Sequence, residues 1–201
     1  MIQLLIFSHT TVVIIMSDRT ALHHLVMKEY ATTDMICKLF DIYPKAAGIA
    51  DKDQKCPLHY GLCNERLVRQ AGFESILLIL ARRCEEEGND GVCPASVVDK
   101  RTMTALHHLI TKEYATTDMI RTLFDIYPEA VTIEDKNGRV PIHYAPLCNE
   151  QLVKKPDFQP ILVSFYSISP IPRSLLGNEH ISKIFKHSLS RTRTRARLMR
   201  Q

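Results

Sequence analysis

Two adjacent histidine pairs, His23-His24 and His107-His108, and two cysteines set in the same run Leu-Cys-Asn-Glu, Cys63 and Cys148, are the side chains whose types could bind a metal or attack a substrate. Neighbouring residues on a helix point about 100° apart, so an adjacent pair cannot grip one ion as residues four apart can. A cysteine nucleophile needs a base and a third group that orients the base. Nothing in the sequence near Cys63 or Cys148 supplies that third group. The run Glu85-Glu86-Glu87 lacks the alternating ligands and turn glycine of a calcium loop and reads as a solvated loop ending at Pro94. No His-Glu-x-x-His, glycine-rich phosphate loop or Gly-x-Ser-x-Gly elbow occurs. The 6 cysteines form no Cys-x-x-Cys pair, so they read as free thiols of a reducing compartment. The chain is expected to be no enzyme and to hold no metal or cofactor.

A different chemistry is available at the carboxyl end. After the proline-containing run Ser167 to Pro172, residues 173–201 carry eight Lys or Arg against one acid, Glu179, hence +7; the remainder, with 18 basic and 21 acidic residues, is −3. Arg191, Arg193, Arg195, Arg197 and Arg200 form a polycation without an apolar stripe, suited to nucleic acid or an anionic membrane face.

The elements that would position any of these groups come from a duplication. Thr20 to Tyr60 and Thr104 to Tyr144, offset by 84 residues, are identical at 28 of 41 positions. Inside each copy a four-residue box recurs: Thr20-Ala21-Leu22-His23, Cys56-Pro57-Leu58-His59, Thr104-Ala105-Leu106-His107 and Val140-Pro141-Ile142-His143. Pro57 and Pro141 suit the first helical position, where the missing N–H would be unpaired anyway. Helices are expected from Ala21 to about Lys28, Asp34 to Tyr43, Pro57 to about Arg69, Phe73 to Cys84, Asp118 to Tyr127 and Asp157 to Tyr166. Met35, Ile36, Leu39, Phe40 and Tyr43 fall on one face, with Thr32, Thr33 and Asp34 at the helix start. Asp51, Asp99 and Asp135 each stand five residues before a box.

This pattern resembles the ankyrin repeat, whose unit of about 33 residues pairs a turn carrying a Thr-Pro-Leu-His box with two helices. The clearest match is Asp135 to Ala145. The resemblance implies an all-α, ankyrin-like helical solenoid of about four helix-turn-helix units with short finger turns, plus a basic C-terminal tail. It also implies that His23, His59, His107 and His143 tie one unit to the next, with His23, in the end unit, mattering least. Two departures stand out. Only Gly138 supplies the finger glycine, with Asp18, Gln54 and Thr102 at the equivalent places, so three turns are either strained or differently shaped. Tyr43-Pro44 and Tyr127-Pro128 replace the glycine that usually ends the second helix.

The expected organisation is a partial or capping repeat over 1–17, an array over 18–166, and a linker and tail over 167–201. Residues 1–16 carry no charged side chain and match neither a signal peptide nor a spanning helix in length or flanks; a truncated repeat is favoured over membrane association. The implied function is a non-catalytic, monomeric scaffold for protein–protein interaction in the cytoplasm or nucleus, with a concave face toward its partner. The resemblance places binding residues at the turn tips: Lys52, Asp53, Lys55, Lys100, Arg101, Lys136, Asn137 and Arg139. Six of these eight are basic, which favours an acidic partner surface. The alternative is association with nucleic acid or an anionic surface through the tail.

Overall fold

Capping threonines set the helix starts. Thr20 and Thr104 accept from the N–H groups of His23 and His107, and Thr32 and Thr116 from those of Met35 and Met119, so one otherwise orphan first-turn N–H of each helix has an acceptor. The two copies consequently fold to the same bounds at the 84-residue offset. Helix α1 spans Ala21–Val26 and α2 Thr33–Ile42; α6 spans Ala105–Ile110 and α7 Thr117–Ile126. Pro44 and Pro128 end α2 and α7 and begin 3-10 turns, Pro44–Gly48 and Pro128–Thr132. The computed structural model describes residues 14–15, 18–82 and 92–168. The tail residues Arg191, Arg193, Arg195, Arg197 and Arg200, the run 1–13 and most of the Glu85–Pro94 loop lie outside them.

The remaining helices are α3 (Pro57–Gly61), α4 (Glu65–Val68), α5 (Phe73–Ala81), α8 (Ala145–Cys148), α9 (Glu150–Lys154) and α10 (Phe158–Ile168). The chain is mostly α-helical; among the described residues the only strands are β1 (Ile14–Ile15) and β2 (Arg19–Thr20), which pair antiparallel. Two expected boundaries need correction. The helix expected from Pro57 to Arg69 is broken at Leu62 to Asn64, because Asn64 caps a new helix by accepting from the Leu67 N–H. The last helix begins at Phe158 and runs on to Ile168.

Packing follows chain order in two rows. Helix α1 lies against α3, α3 against α6, and α6 against the 3-10 turn Pro141–Tyr144; α2 lies against α5, α5 against α7, and α7 against α10. The apolar faces of both rows meet in one core, which includes Leu22, Leu58, Leu77, Leu106, Ile120 and Phe165. Burial of such side chains stabilises by about 1.5–3 kcal/mol each before conformational entropy is counted. No helix among the described residues is long and apolar enough to cross a membrane.

Candidate binding surface

The loops that precede the boxes are the most regular feature of the molecule after the helices. Each is a hairpin closed by a backbone bond from its first residue to its last: Asp51 N–H donates to Lys55 O (2.9 Å), Asp99 to Met103 O (3.1 Å), and Asp135 to Arg139 O (2.9 Å). Ile15 pairs with Arg19 in the same register at the amino-terminal end. Inside each loop the aspartate Oδ1 accepts two further N–H groups. These are Asp53 and Lys55 on Asp51 (2.8 and 3.1 Å), Arg101 and Met103 on Asp99 (2.8 and 3.0 Å), and Asn137 and Arg139 on Asp135 (2.8 and 2.9 Å). The short carboxylate makes a tight loop by gathering two of its N–H groups on one oxygen.

The residue before last in each loop is left-handed: Asp18, Gln54 and Thr102 have φ of 58–59°, and Gly138 has 69°. The loops holding Gln54 and Thr102 therefore keep the shape of the glycine one at a cost of about 1–2 kcal/mol each. Successive loops are joined tip to tip, Lys100 N–H to Asp53 O (3.1 Å) and Lys136 N–H to Arg101 O (3.0 Å).

The second aspartate oxygen faces the helix after the box. Asp51 Oδ2 accepts from Arg19 Nε (2.8 Å) and Tyr60 OH (2.7 Å), Asp99 Oδ2 pairs with His108 Nε2 (3.0 Å), and Asp135 Oδ2 accepts from Tyr144 OH. Burial pushes the Asp51 carboxyl up, but its donors outweigh burial and hold it at about 2. Asp99 is held well below the ordinary carboxylate range in the same way, against burial, by His108 and two N–H groups. Ile15 occupies the place of these aspartates in the first loop, and there His24 Nε2 is buried without a hydrogen bond.

Two of the four box histidines, His23 and His107, join their own unit to the next loop. Thr20, Cys56, Thr104 and Val140 each donate the backbone N–H to the Nδ1 of the histidine three residues on, at 3.0–3.3 Å. A backbone N–H can only donate, so Nδ1 is unprotonated and Nε2 carries the hydrogen. His23 Nε2 then donates to Lys55 O (3.0 Å) and His107 Nε2 to Arg139 O (3.1 Å), each in the next loop. His59 Nε2, near the Met103 carbonyl, closes no such bond. Burial lowers His59 to about 3 and His107 to about 4. His23 and His107 are both 0% exposed and are bonded alike.

Among the expected contact residues, the tips divide. Lys52, Lys100, Arg101, Lys136, Asn137 and Arg139 are exposed, and Asp53 and Lys55 half-buried. Lys100 Nζ is 3.2 Å from Asp53 Oδ1, Lys55 lies over the Tyr60 ring (5.6 Å) and Arg139 over Tyr144 (5.8 Å). Among the described residues no ion pair holds Lys52, Arg101 or Lys136, so the charge free to meet a partner is positive. Asn64 and Asn149 are the residues that sequence reasoning missed. Asn64 Nδ2 donates to Val26 O and Lys28 O (2.8 and 2.9 Å) and Asn149 Nδ2 to Lys112 O (2.6 Å), each across to the preceding helical pair. The duplicated Leu-Cys-Asn-Glu was the signal, with asparagine before a helix as its cap. No group of three or more His, Cys, Asp or Glu among the described residues is placed to hold a metal ion.

Comparison with family models and with curated proteins finds no match for this chain.

Proposed function

We propose that the chain is a non-catalytic, ankyrin-like interaction module, a helical solenoid that offers a rigid row of basic loop tips to an acidic patch on a partner protein. The observation that carries this reading is the loop row itself. Three loops share one carboxylate-centred design, are locked to each other by backbone bonds, and leave Lys52, Arg101 and Lys136 without ion-pair partners among the described residues. Such a row loses little conformational freedom on binding, which favours affinity. Its spacing along the stack matches a partner that presents successive acidic groups.

The test is capture of partners by the full chain and by a variant with Lys52, Arg101 and Lys136 all changed to Glu, with thermal melts to confirm that both are folded. The expected result is loss of the captured set on charge reversal. An unchanged set overturns the role given to the tips.

The contrast of +7 in residues 173–201 with −3 elsewhere favours a second reading, association of the tail with nucleic acid or an anionic surface. Neutralising duplex phosphates gives a log–log salt slope of roughly −0.9 per contact. Removal of 173–201 should abolish that binding and leave tip-led capture intact. Binding that is indifferent to salt, or to the truncation, removes the tail from the account.

A further inference from the structure

We infer that this chain joins end to end with copies of itself, the last helical unit of one copy, α8 to α10, seating on the α1 and α2 face of the next. The duplication shows what covers that face, because the same face occurs twice in the chain and is covered once. In its second occurrence α6 lies against α3 and α7 against α5. In its first, nothing helical precedes α1 among the described residues.

Six identical residues record the difference. Ala21, Leu25, Tyr30, Met35, Leu39 and Ile42 are each less buried than Ala105, Leu109, Tyr114, Met119, Leu123 and Ile126, their equivalents 84 residues on. Met35 is 39% exposed where Met119 is 3%, and Tyr30 and Ile42 reach 67% and 78%. The Tyr114 hydroxyl donates to Leu62 O at the end of α3 (2.8 Å), a bond made with the covering unit. An apolar cavity of about 80 Å³, lined in part by Leu22, Leu39, Ile42 and Tyr43, lies on the uncovered face. Of the seven large apolar side chains exposed among the described residues, Met27, Tyr30, Met35 and Ile42 belong to the first unit and Val163 and Ile168 to the last. Scattered exposed apolar residues are ordinary, but their concentration at the two ends of a stack marks surfaces that a further unit would cover.

The covering surface is duplicated as well. Asn149 caps α9 as Asn64 caps α4. Leu67, Val68, Phe73, Ile76 and Leu77 recur 85 residues on as Leu152, Val153, Phe158, Ile161 and Leu162. Where α5 covers α7, Leu78 lines one cavity with Ile126; the equivalents of this pair are Val163 and Ile42, both exposed. In the joint, Val163 of one copy meets Ile42 of the next. The carbonyl of Leu147, two residues before Asn149 as Leu62 is two before Asn64, is the matching acceptor for the Tyr30 hydroxyl.

The two faces differ, so the joint is head to tail. It leaves one face free at each end and adds chains without limit unless the rotation per step closes a ring. Each joint repeats a step already present inside the chain, so the row of loops before the boxes runs on from copy to copy, in place of the monomer that the family resemblance implies.

The test measures the mass of the full chain by sedimentation across a concentration series, in about 1 M salt, where the screening length is about 3 Å and attraction through the basic tail is suppressed. The average mass should rise with concentration past that of two chains. Ile42→Asp blocks the first face and Val163→Asp the last, at exposed positions, and thermal melts check that both variants fold. Each variant alone should sediment as a single chain. An equal mixture should form pairs and nothing larger, since each variant keeps the face that the other has lost. A single-chain mass for the unaltered protein up to the limit of its solubility overturns the inference and leaves the first face to another occupant, such as residues 1–13. Self-association of Ile42→Asp alone, or a mixture of folded variants that stays single, overturns it too. Pairing of Val163→Asp alone would mean that two first faces meet, which overturns the head-to-tail order. Where Val163→Asp fails to fold, the unaltered chain and Ile42→Asp decide between them.

Discussion

Helices α1 and α6 differ by one methylene, Ala-Leu-His-His-Leu-Val against Ala-Leu-His-His-Leu-Ile, and share bounds, caps and box geometry. Yet their second histidines respond to proton binding in opposite ways. Burial pushes both down, but at His108 Asp99 and the Cys63 thiol together outweigh it and raise the pKa above the ordinary value; His24 meets no carboxylate among the described residues and stays lowered. The difference lies outside either helix, in the loop before it, where Ile15 stands in place of Asp99. A helix fixes where a side chain is, and the neighbouring loop fixes what it does there.

The largest effect to test on this comparison is acid. Histidines whose folded pKa is lowered add stability above about pH 6.5, and lose it as pH falls, since the unfolded chain then takes up protons more readily. This covers His107, at about 4, and His59, at about 3. Protonation of Nδ1 would also set an N–H against the Thr104 or Cys56 N–H. Asp51, held at about 2, adds stability above about pH 4 and loses it through pH 2. His108, being raised, acts with the opposite sign: its contribution is present below about pH 6.5 and lost as pH rises through its folded value. Urea midpoints should therefore fall continuously from about pH 6.5 downward, with the fold lost between about pH 4 and 2. A midpoint that holds level from neutral pH to about 4.5 would show that the box histidines are not buried neutral.

Next in size are the boxes themselves. His23→Ala and His107→Ala each remove a bond to the next loop and take from the Thr20 or Thr104 N–H its acceptor, while the loop carbonyl keeps the bond from Asp51 or Asp135. Both should cost about 2–4 kcal/mol in denaturant unfolding. His143, half-buried in the last box, should cost about 1 kcal/mol. A cost at His23 far below that at His107 would mean that the two copies are not equivalent even where their bonds are.

Much of this equivalence was legible in the sequence, and the exceptions have physical causes. The boxes, the proline stops and the threonine starts are local signals, read within a few residues of where they act. The break at Asn64 was missed because apolar spacing carries through it, while the capping oxygen and the bonds to Val26 and Lys28 come from a side chain first read only as a neighbour of Cys63. The loop strain was left open between two shapes, since a residue type does not reveal φ. The edge-on contact of His59 with His108 was out of reach altogether: it exists only because α3 packs on α6, and no pattern along the chain joins residues that meet only through packing.

A smaller effect separates the two copies at the left-handed position. Aspartate tolerates that conformation better than a β-branched residue does, and Asp18 and Thr102 are equivalent. Thr102→Gly should gain about 1 kcal/mol, the relieved strain being partly offset by the greater freedom of glycine in the unfolded chain. Asp18→Gly should gain less. Equal gains at the two sites would assign the strain to the loop and not to the side chain.

The smallest expected effect is the most direct on the comparison, because it rebuilds one copy as the other. Ile15 pairs with Arg19 in the register in which Asp99 pairs with Met103, so Ile15→Asp puts a carboxylate where the other three loops have one. The new group should accept from loop N–H groups with one oxygen and from His24 Nε2, now buried and unpaired, with the other. The His24 pKa should then cross from below to above its ordinary value, as at His108, in ring-proton titrations by nuclear magnetic resonance. With a raised folded pKa, the added stability is present below about pH 6.5 and fades as pH rises through the new value, and it fades again in acid as the carboxylate is protonated. Within that window the gain should be about 0.5–1 kcal/mol, modest because the pair is partly exposed. A His24 titration that stays low in the folded variant would show that the loop before α1 is built differently from the other three, and that Ile15 marks a change of shape instead of a missing charge.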